Sequence, residues 1–140
     1  MTYLLDTVVV SEWTKPAPDP NAIDWLAAHD ESAMYVSVAT FAELRQGIAL
    51  MPVGHNRYRL DEWLRSDLIE RFAERTLAID LRTAETWGVL AAQIRRSGLT
   101  VGPMDLFVAA TAIIHNLTVV TRNVRDFSGL PVAIINPWGS

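Results

Sequence analysis

The chain opens on Tyr3-Leu4-Leu5-Asp6-Thr7-Val8-Val9-Val10-Ser11-Glu12, in which a short apolar run leads directly to a carboxylate and a hydroxyl residue. Such a run predicts a buried strand, and Asp6 stands where that strand ends. Ligands of open parallel sheets bind outside the carboxyl ends of the strands. Asp6 is therefore a candidate site residue. Because Asp is also a favoured helix N-cap, this stretch alone leaves both roles open.

Four further apolar runs predict strands, at residues 34–38, 76–79, 118–120 and 132–135. Segments with helical features separate them, at residues 7–13, 21–29, 41–51, 57–72, 81–96 and 104–115. Alternation of this kind is typical of α/β proteins. We expect a single domain over residues 1–140, with a central, mostly parallel five-stranded sheet flanked by helices on both faces.

Composition narrows the classes of function. Half of the residues are apolar and a fifth are charged, which is ordinary for a soluble globular protein. No apolar run is long enough for a membrane span, and the start lacks the pattern of a secretory signal. The absence of cysteine excludes thiolate metal sites and fits a reducing compartment, so we expect a cytoplasmic protein with no membrane partner. A net charge of −4 argues against a general polyanion binder.

Polar side chains also accompany the later elements. Glu43 falls early in the helix after the second strand, and Asp105 lies in the first turn of the helix before the fourth. Asn123 and Asp126 follow the fourth strand. Asp105 reaches the same edge of the sheet only if the segment before its helix runs back across the sheet. Each acid alone has a structural explanation, since helix first turns and tight turns favour acids.

Acids that share a pocket of low dielectric constant repel one another and stay ionised only if a cation joins them. Oxygen ligands without cysteine favour Mg²⁺ or Mn²⁺. Such an ion can orient a water, lower its pKa and neutralise charge on a phosphodiester oxygen. A cluster of these acids therefore predicts metal-assisted phosphodiester hydrolysis with water as the nucleophile.

The remaining polar and aromatic residues give weaker signals. Arg45, Arg122 and Arg125 lie nearest the predicted site and could touch a phosphate backbone, although a solvated surface is the alternative for each. The three histidines lack the spacing of a zinc site. The five tryptophans are assigned to the core or an interface rather than to base stacking.

Five pieces of the chain, taken together, are similar in order and spacing to a known family. They are residues 4–7 with 10–12 (LLDT, VSE), 37–47 (SVATFAELRQG), 105–112 (DLFVAATA), 117–123 (LTVVTRN) and 136–138 (NPW). The chain resembles PIN-domain proteins of the VapC toxin type, and FitB-like members most of all. The pieces span nearly the whole chain.

That family consists of metal-dependent ribonucleases, the toxins of bacterial toxin–antitoxin pairs. The resemblance implies that Asp6, Glu43 and Asp105 hold Mg²⁺ or Mn²⁺ and that Asn123 stands where many members have a fourth acid. Asp126 is near enough in the sequence to substitute for that acid through water, which is a hypothesis of our own. It also implies an RNA substrate, a homodimer and a cognate VapB- or FitA-like antitoxin. The antitoxin would block the acidic pocket, and operator DNA would be bound only through it.

One departure from the family pattern leaves an alternative open. Members usually have Asn or Ser where this chain has Val8, which offers no hydrogen bond near the metal site. A weakly active protein that serves mainly as antitoxin-binding partner in a DNA-bound autoregulatory complex is therefore a second hypothesis. A phosphoacceptor receiver domain is a third, but it needs a lysine after a late strand, and the single lysine is Lys15.

Overall fold

Five short strands form one sheet in the computed structural model, which describes residues 1–139. They are β1 (Tyr3–Leu5), β2 (Met34–Ser37), β3 (Thr76–Leu77), β4 (Thr118–Val120) and β5 (Ile134–Ile135). The order is β3-β2-β1-β4-β5, and each adjacent pair is parallel. The predicted α/β architecture is confirmed. The expectation of a mostly parallel sheet is also confirmed, since every strand pair in the described residues is parallel.

Helices connect the strands close to the predicted places. They are α1 (Thr7–Val10), α2 (Pro20–Ala28), α3 (Val38–Ala49), α4 (His55–Trp63), α5 (Ile69–Arg71), α6 (Leu81–Arg96), α7 (Pro103–His115) and α8 (Val124–Phe127). A π-helical turn, Leu64–Leu68, joins α4 to α5. The α3 helix begins three residues earlier than predicted because the Ser37 hydroxyl accepts a hydrogen bond from the Ala39 N–H (3.0 Å) and caps it. None of the helices in residues 1–139 combines the length and apolarity that crossing a bilayer requires.

The two faces of the sheet carry separate apolar clusters, because alternate residues of a strand point to opposite faces. Tyr3 and Leu5 belong to cluster one, which includes residues of α1, α2, α3 and the 64–72 segment. Leu4 belongs to cluster two, which is built mainly from α6 and α7. Helices therefore cover both faces, as predicted.

The strand order places the carboxyl ends of β1 and β4 side by side. From β1 the chain passes outward through β2 to β3, and it later continues on the other side of β1 through β4 to β5. A crevice forms at such a reversal of strand order, where ligands of open α/β sheets bind. The α7 helix ends two residues before β4 begins, so it runs antiparallel to the strands and starts near their carboxyl ends. The segment before α7 therefore runs back across the sheet, which is the condition under which Asp105 reaches the same edge as Asp6.

A buried carboxylate fixes the proline-rich segment after α1. Glu12 is 1% exposed, its Oε1 accepts the Asp19 N–H (3.0 Å), and its Oε2 contacts the Lys15 ammonium. Burial opposes ionisation of Glu12, but Lys15, the Asp19 N–H and Arg122 outweigh it and hold the pKa of the carboxyl below its usual range. The charge of Glu12 therefore stabilises the folded state.

Glu12→Gln is expected to lower the free energy of unfolding by about 1–2 kcal/mol at neutral pH, since Lys15 is half-exposed and screened. The pKa is depressed on folding, so this stabilisation is present above the unfolded-state pKa and is lost as the pH falls through the folded-state value. Urea unfolding at a series of pH values would test this, with the exposed Glu85→Gln as control. A difference that persists unchanged in acid would contradict the charge-based explanation.

Candidate active site

Asp6 lies at the end of β1 and is 3% exposed. Its Oδ1 accepts the Thr7 N–H (2.9 Å), and its Oδ2 accepts the Thr121 hydroxyl (2.8 Å) from the end of β4. Both roles left open by the sequence are thus present: Asp6 caps α1 and also faces the crevice between β1 and β4. A carboxylate has about four lone-pair positions, so each oxygen keeps acceptor capacity.

Glu43 approaches from the second turn of α3 and is half-buried. Its Oε1 accepts the Thr7 hydroxyl (2.7 Å), and the backbone N–H of the same threonine binds Asp6. Thr7 therefore fixes the spacing of two acids that lie 37 positions apart in the sequence. Sequence reasoning assigned Thr7 no role.

The other polar candidates come from α7 and α8. Asp105 lies in the first turn of α7 and is half-buried, whereas Asp126, in α8, is exposed. Asn123 precedes α8 and is also exposed, and its side chain makes no capping bond to that helix. Its backbone N–H donates to the Thr121 hydroxyl (3.0 Å).

The charges of these acids act on one another. Burial raises the pKa of Asp6, and the charges of Glu43 and Asp126 raise it further, against the hydrogen bonds from Thr121 and Thr7. Burial and then the charges of Asp6, Asp126 and Glu43 raise the pKa of Asp105 to about 6. The fold therefore brings Asp6, Glu43, Asp105 and Asp126 to one crevice.

The donor set fits a hard divalent cation, although it is not a closed cage. Within residues 1–139, no three His, Asp or Glu side chains converge closely enough to ligate one ion directly. Mg²⁺ is usually held by one or two carboxylates together with waters and substrate phosphates, which an open acidic crevice allows. The carboxylates repel one another, and a bound cation would offset that repulsion.

The residue that sequence reasoning missed most clearly is Thr121, whose buried hydroxyl joins the ends of β1 and β4. It donates to Asp6 and accepts from the Asn123 N–H, so it orients both the first acid and the turn that follows β4. The available signal was a hydroxyl residue directly after a buried strand.

The arginines predicted near the site behave differently. Arg45 donates from Nη1 to Asp61 Oδ1 (2.6 Å) on α4, so its charge is paired within the protein, and contact of Arg45 with phosphate stays a prediction. Arg122 and Arg125 are exposed beside the site, at the end of β4 and in α8.

A cleft of about 270 Å³ adjoins the acids. Thr7, Ser11 and Glu43 form its polar side, and its apolar lining includes Leu44, Ile48, Met51, Leu60 and Trp63. Gly47 of α3 also lines the cleft, and a Cβ added there would meet no atom within 4 Å. The cleft is therefore mainly apolar and has the Glu43 carboxylate at its polar side.

Val8 is half-buried and packs against cluster one. Its side chain has neither donor nor acceptor, so it adds apolar contact beside Asp6 and no polar support.

A parallel sheet with this strand order, acids at its central crevice and helices on both faces is the arrangement of a PIN-domain nuclease fold. The sequence profile of the PIN domain matches residues 3–131, and the chain belongs to the PIN-domain family.

Similar proteins have been named more specifically. The chain is 41% identical to plasmid stability protein StbB of Pseudomonas syringae pv. tomato over 96% of this chain and 97% of that one. It is 38% identical to VapC ribonuclease Y4jK of Sinorhizobium fredii over 96% of each. Among solved structures, FitAB bound to the IR36 DNA fragment contains a chain that aligns with a TM-score of 0.92 and 33% identity, covering 99% of this chain and 97% of that one.

Proposed function

We propose that this protein is an endoribonuclease dependent on Mg²⁺ or Mn²⁺ and the toxin of a type II toxin–antitoxin pair, built as a single domain. The observation that carries the proposal is the hydrogen-bonded arrangement at the crevice between β1 and β4, where Thr7 joins Asp6 (2.9 Å) to Glu43 (2.7 Å) and Thr121 donates to Asp6 (2.8 Å). Asp105 and Asp126 lie near enough for their charges to act on the same site. The similarity to a VapC ribonuclease supports RNA as the substrate.

In this proposal Asp6, Glu43 and Asp105 hold the metal, and Asp126 or Asn123 completes the site. A bound divalent ion would supply an activated water and neutralise charge on the phosphodiester. Thr7 and Thr121 hold the carboxylates of Glu43 and Asp6 by their hydroxyl donors. Fixing the ligands before the substrate arrives reduces the reorganisation that the reaction requires.

The test is cleavage of labelled RNA by the purified protein with Mn²⁺ or Mg²⁺, and with a chelator in excess. We expect cleavage with either metal and none after chelation, because the acids alone cannot neutralise phosphodiester charge. Cleavage that continues in chelator would contradict the metal-dependent function.

We also propose that the apolar cleft beside Glu43 receives a segment of a cognate antitoxin of the VapB or FitA type. The similarity to the FitAB–DNA assembly supports both the partner and contact with operator DNA through it. The cleft lies next to Glu43, so a segment seated there would reach the acids. A homodimer remains a prediction from the resemblance.

Gly47→Leu is expected to weaken antitoxin binding about tenfold or more, equivalent to about 1.4 kcal/mol, because the new side chain would occupy the cleft. The helix itself should not suffer, since Gly is a poor helix former. Titration calorimetry with the protein encoded by the neighbouring gene would measure the loss. Gly88→Leu on α6, where a Cβ also meets open space, is the matched control. Equal affinities for the two variants would place the antitoxin elsewhere.

Val8 favours a second candidate function, in which the protein acts chiefly as the antitoxin's partner in a DNA-bound autoregulatory complex. The side chain packs on cluster one and gives Asp6 no hydrogen bond. Losses of outer-shell hydrogen bonds typically reduce metal affinity or activity about 10–100-fold. Absence of metal-dependent cleavage in a protein that still binds its antitoxin would favour this function.

A further inference from the structure

The turn after β4 places Arg122 directly beside the acidic crevice. Thr121 donates to Asp6 Oδ2 (2.8 Å) and accepts from the Asn123 N–H (3.0 Å). Arg122 is the middle residue of this hydrogen-bonded turn. Its backbone is therefore tied to the position of Asp6, while its side chain is exposed.

The side chain of Arg122 lies over an aromatic ring of the C-terminal segment. Its guanidinium carbon lies 5.6 Å from the ring centroid of Trp138. Trp138 is half-buried against cluster one, its N–H donates to Asn136 Oδ1 (3.0 Å), and its carbonyl accepts from Asn21 Nδ2 (3.4 Å). The indole is thus a fixed support for the guanidinium.

Arg122 forms no ion pair among the described residues. Among residues 1–139, the carboxylates pair with Lys15, Arg45, Arg65, Arg71 and Arg75. Glu12 lies near enough for the charge of Arg122 to lower its pKa, but its oxygens already bind the Lys15 ammonium and the Asp19 N–H. An arginine that lies over an aromatic ring without an ion-pair partner keeps N–H donors available, and the guanidinium fork matches phosphate.

We propose that Arg122, held by Trp138, binds a backbone phosphate of the RNA strand next to the scissile bond. The inference rests on the proposed ribonuclease function. Four nearby carboxylates repel a polyanion, so an unpaired cation at the rim of the crevice gives the strand its local attraction. Arg122 is then a binding residue, and Trp138 is a positioning residue that acts through it.

The experiment measures binding of a labelled single-stranded RNA of mixed sequence in the presence of chelator, so that no cleavage occurs. Arg122→Ala should raise Kd about three- to tenfold at low salt and reduce the slope of log K against log salt by about 0.7, the value for one phosphate contact on a single strand. Trp138→Ala should give a smaller effect of the same kind, and Trp138→Phe should largely restore binding.

Arg71→Ala is the matched control, because Arg71 also lies over a tryptophan, Trp13 (4.2 Å), but pairs with Glu31, just before β2. It removes the same charge and should leave the salt slope unchanged. With Mn²⁺ present, Arg122→Ala should raise KM and leave kcat unchanged.

Two results separate the possible failures. If the wild-type protein neither binds nor cleaves RNA, the proposed function fails. If the wild type cleaves RNA while Arg122→Ala and Arg71→Ala have the same salt slope, the role of Arg122 is overturned and the ribonuclease function stands. Weakened antitoxin binding by Arg122→Ala with an unchanged RNA slope would likewise overturn it and assign the residue to the protein partner.

Discussion

Asp105→Asn is expected to reduce RNA cleavage by about a thousand-fold or more, while making the metal-free protein more stable. The cleavage loss follows from the proposed ligand role: metal stabilisation of the transition state is worth several kcal/mol, and about 1.4 kcal/mol is a factor of ten. The gain in stability follows because the carboxylate that is lost is half-buried among Asp6, Glu43 and Asp126.

The sign of the pH effect follows from the raised pKa of Asp105, which is about 6 in the folded state against an ordinary value of 3.8. Folding favours the protonated form, so stability is lost as the pH rises through this interval. The neutral asparagine avoids that loss. We expect the free energy of unfolding of Asp105→Asn to exceed that of the wild type by about 1–2 kcal/mol at neutral pH, after allowance for partial solvent screening. Below about pH 4 the two proteins should be equally stable.

Cleavage assays with Mn²⁺ and urea unfolding in chelator would measure both effects on one preparation. Asp24→Asn, an exposed acid on α2, is the control and should change neither. Added Mn²⁺ should stabilise the wild type and not the Asp105 variant. Retained cleavage would remove Asp105 from the site, whereas loss of both cleavage and stability would indicate a structural role.

Thr121→Val is expected to lower metal affinity about 10–100-fold and the free energy of unfolding by about 1–3 kcal/mol. The substitution keeps the shape of the side chain but leaves Asp6 Oδ2 and the Asn123 N–H without their partner. It also removes a hydrogen bond that lowers the pKa of Asp6, so ionisation of that acid becomes harder.

Mn²⁺ titration and urea unfolding would check this prediction. Thr121→Ser keeps the hydroxyl and should restore metal affinity. Thr111→Val is the matched control, because Thr111 is equally buried but its hydroxyl binds the Phe107 carbonyl within α7 (2.7 Å). A Thr121→Val protein with unchanged metal affinity would show that Asp6 does not need this support.

Much of the fold could be predicted because the local signals agree with the final structure. Apolar runs mark the strands, and Asp80, a favoured N-cap type, caps α6 by accepting the Thr83 N–H (3.0 Å). Strand order could not be predicted in this way. Whether β4 pairs with β1 depends on packing between segments more than a hundred residues apart, which no local pattern reports.

The acids of the candidate site could be predicted from the sequence, but the hydroxyl side chains that hold them could not. Asp6, Glu43, Asp105 and Asp126 follow from position relative to strands and helices. The roles of Thr7 and Thr121 depend on hydroxyl directions across different elements. The ion pair between Arg45 and Asp61 likewise could not be predicted, because it depends on how α3 packs against α4.

The hydrogen bond between Asp6 and Thr121 spans 115 positions, so the candidate crevice forms only when β1 and β4 are both present. Domains emerge from the ribosome at about 5–20 residues per second, and a strand cannot pair before it has been synthesised. Any nascent or prematurely terminated chain that stops before β4 lacks one wall of the crevice. Such an unfinished chain is expected to lack the proposed ribonuclease activity.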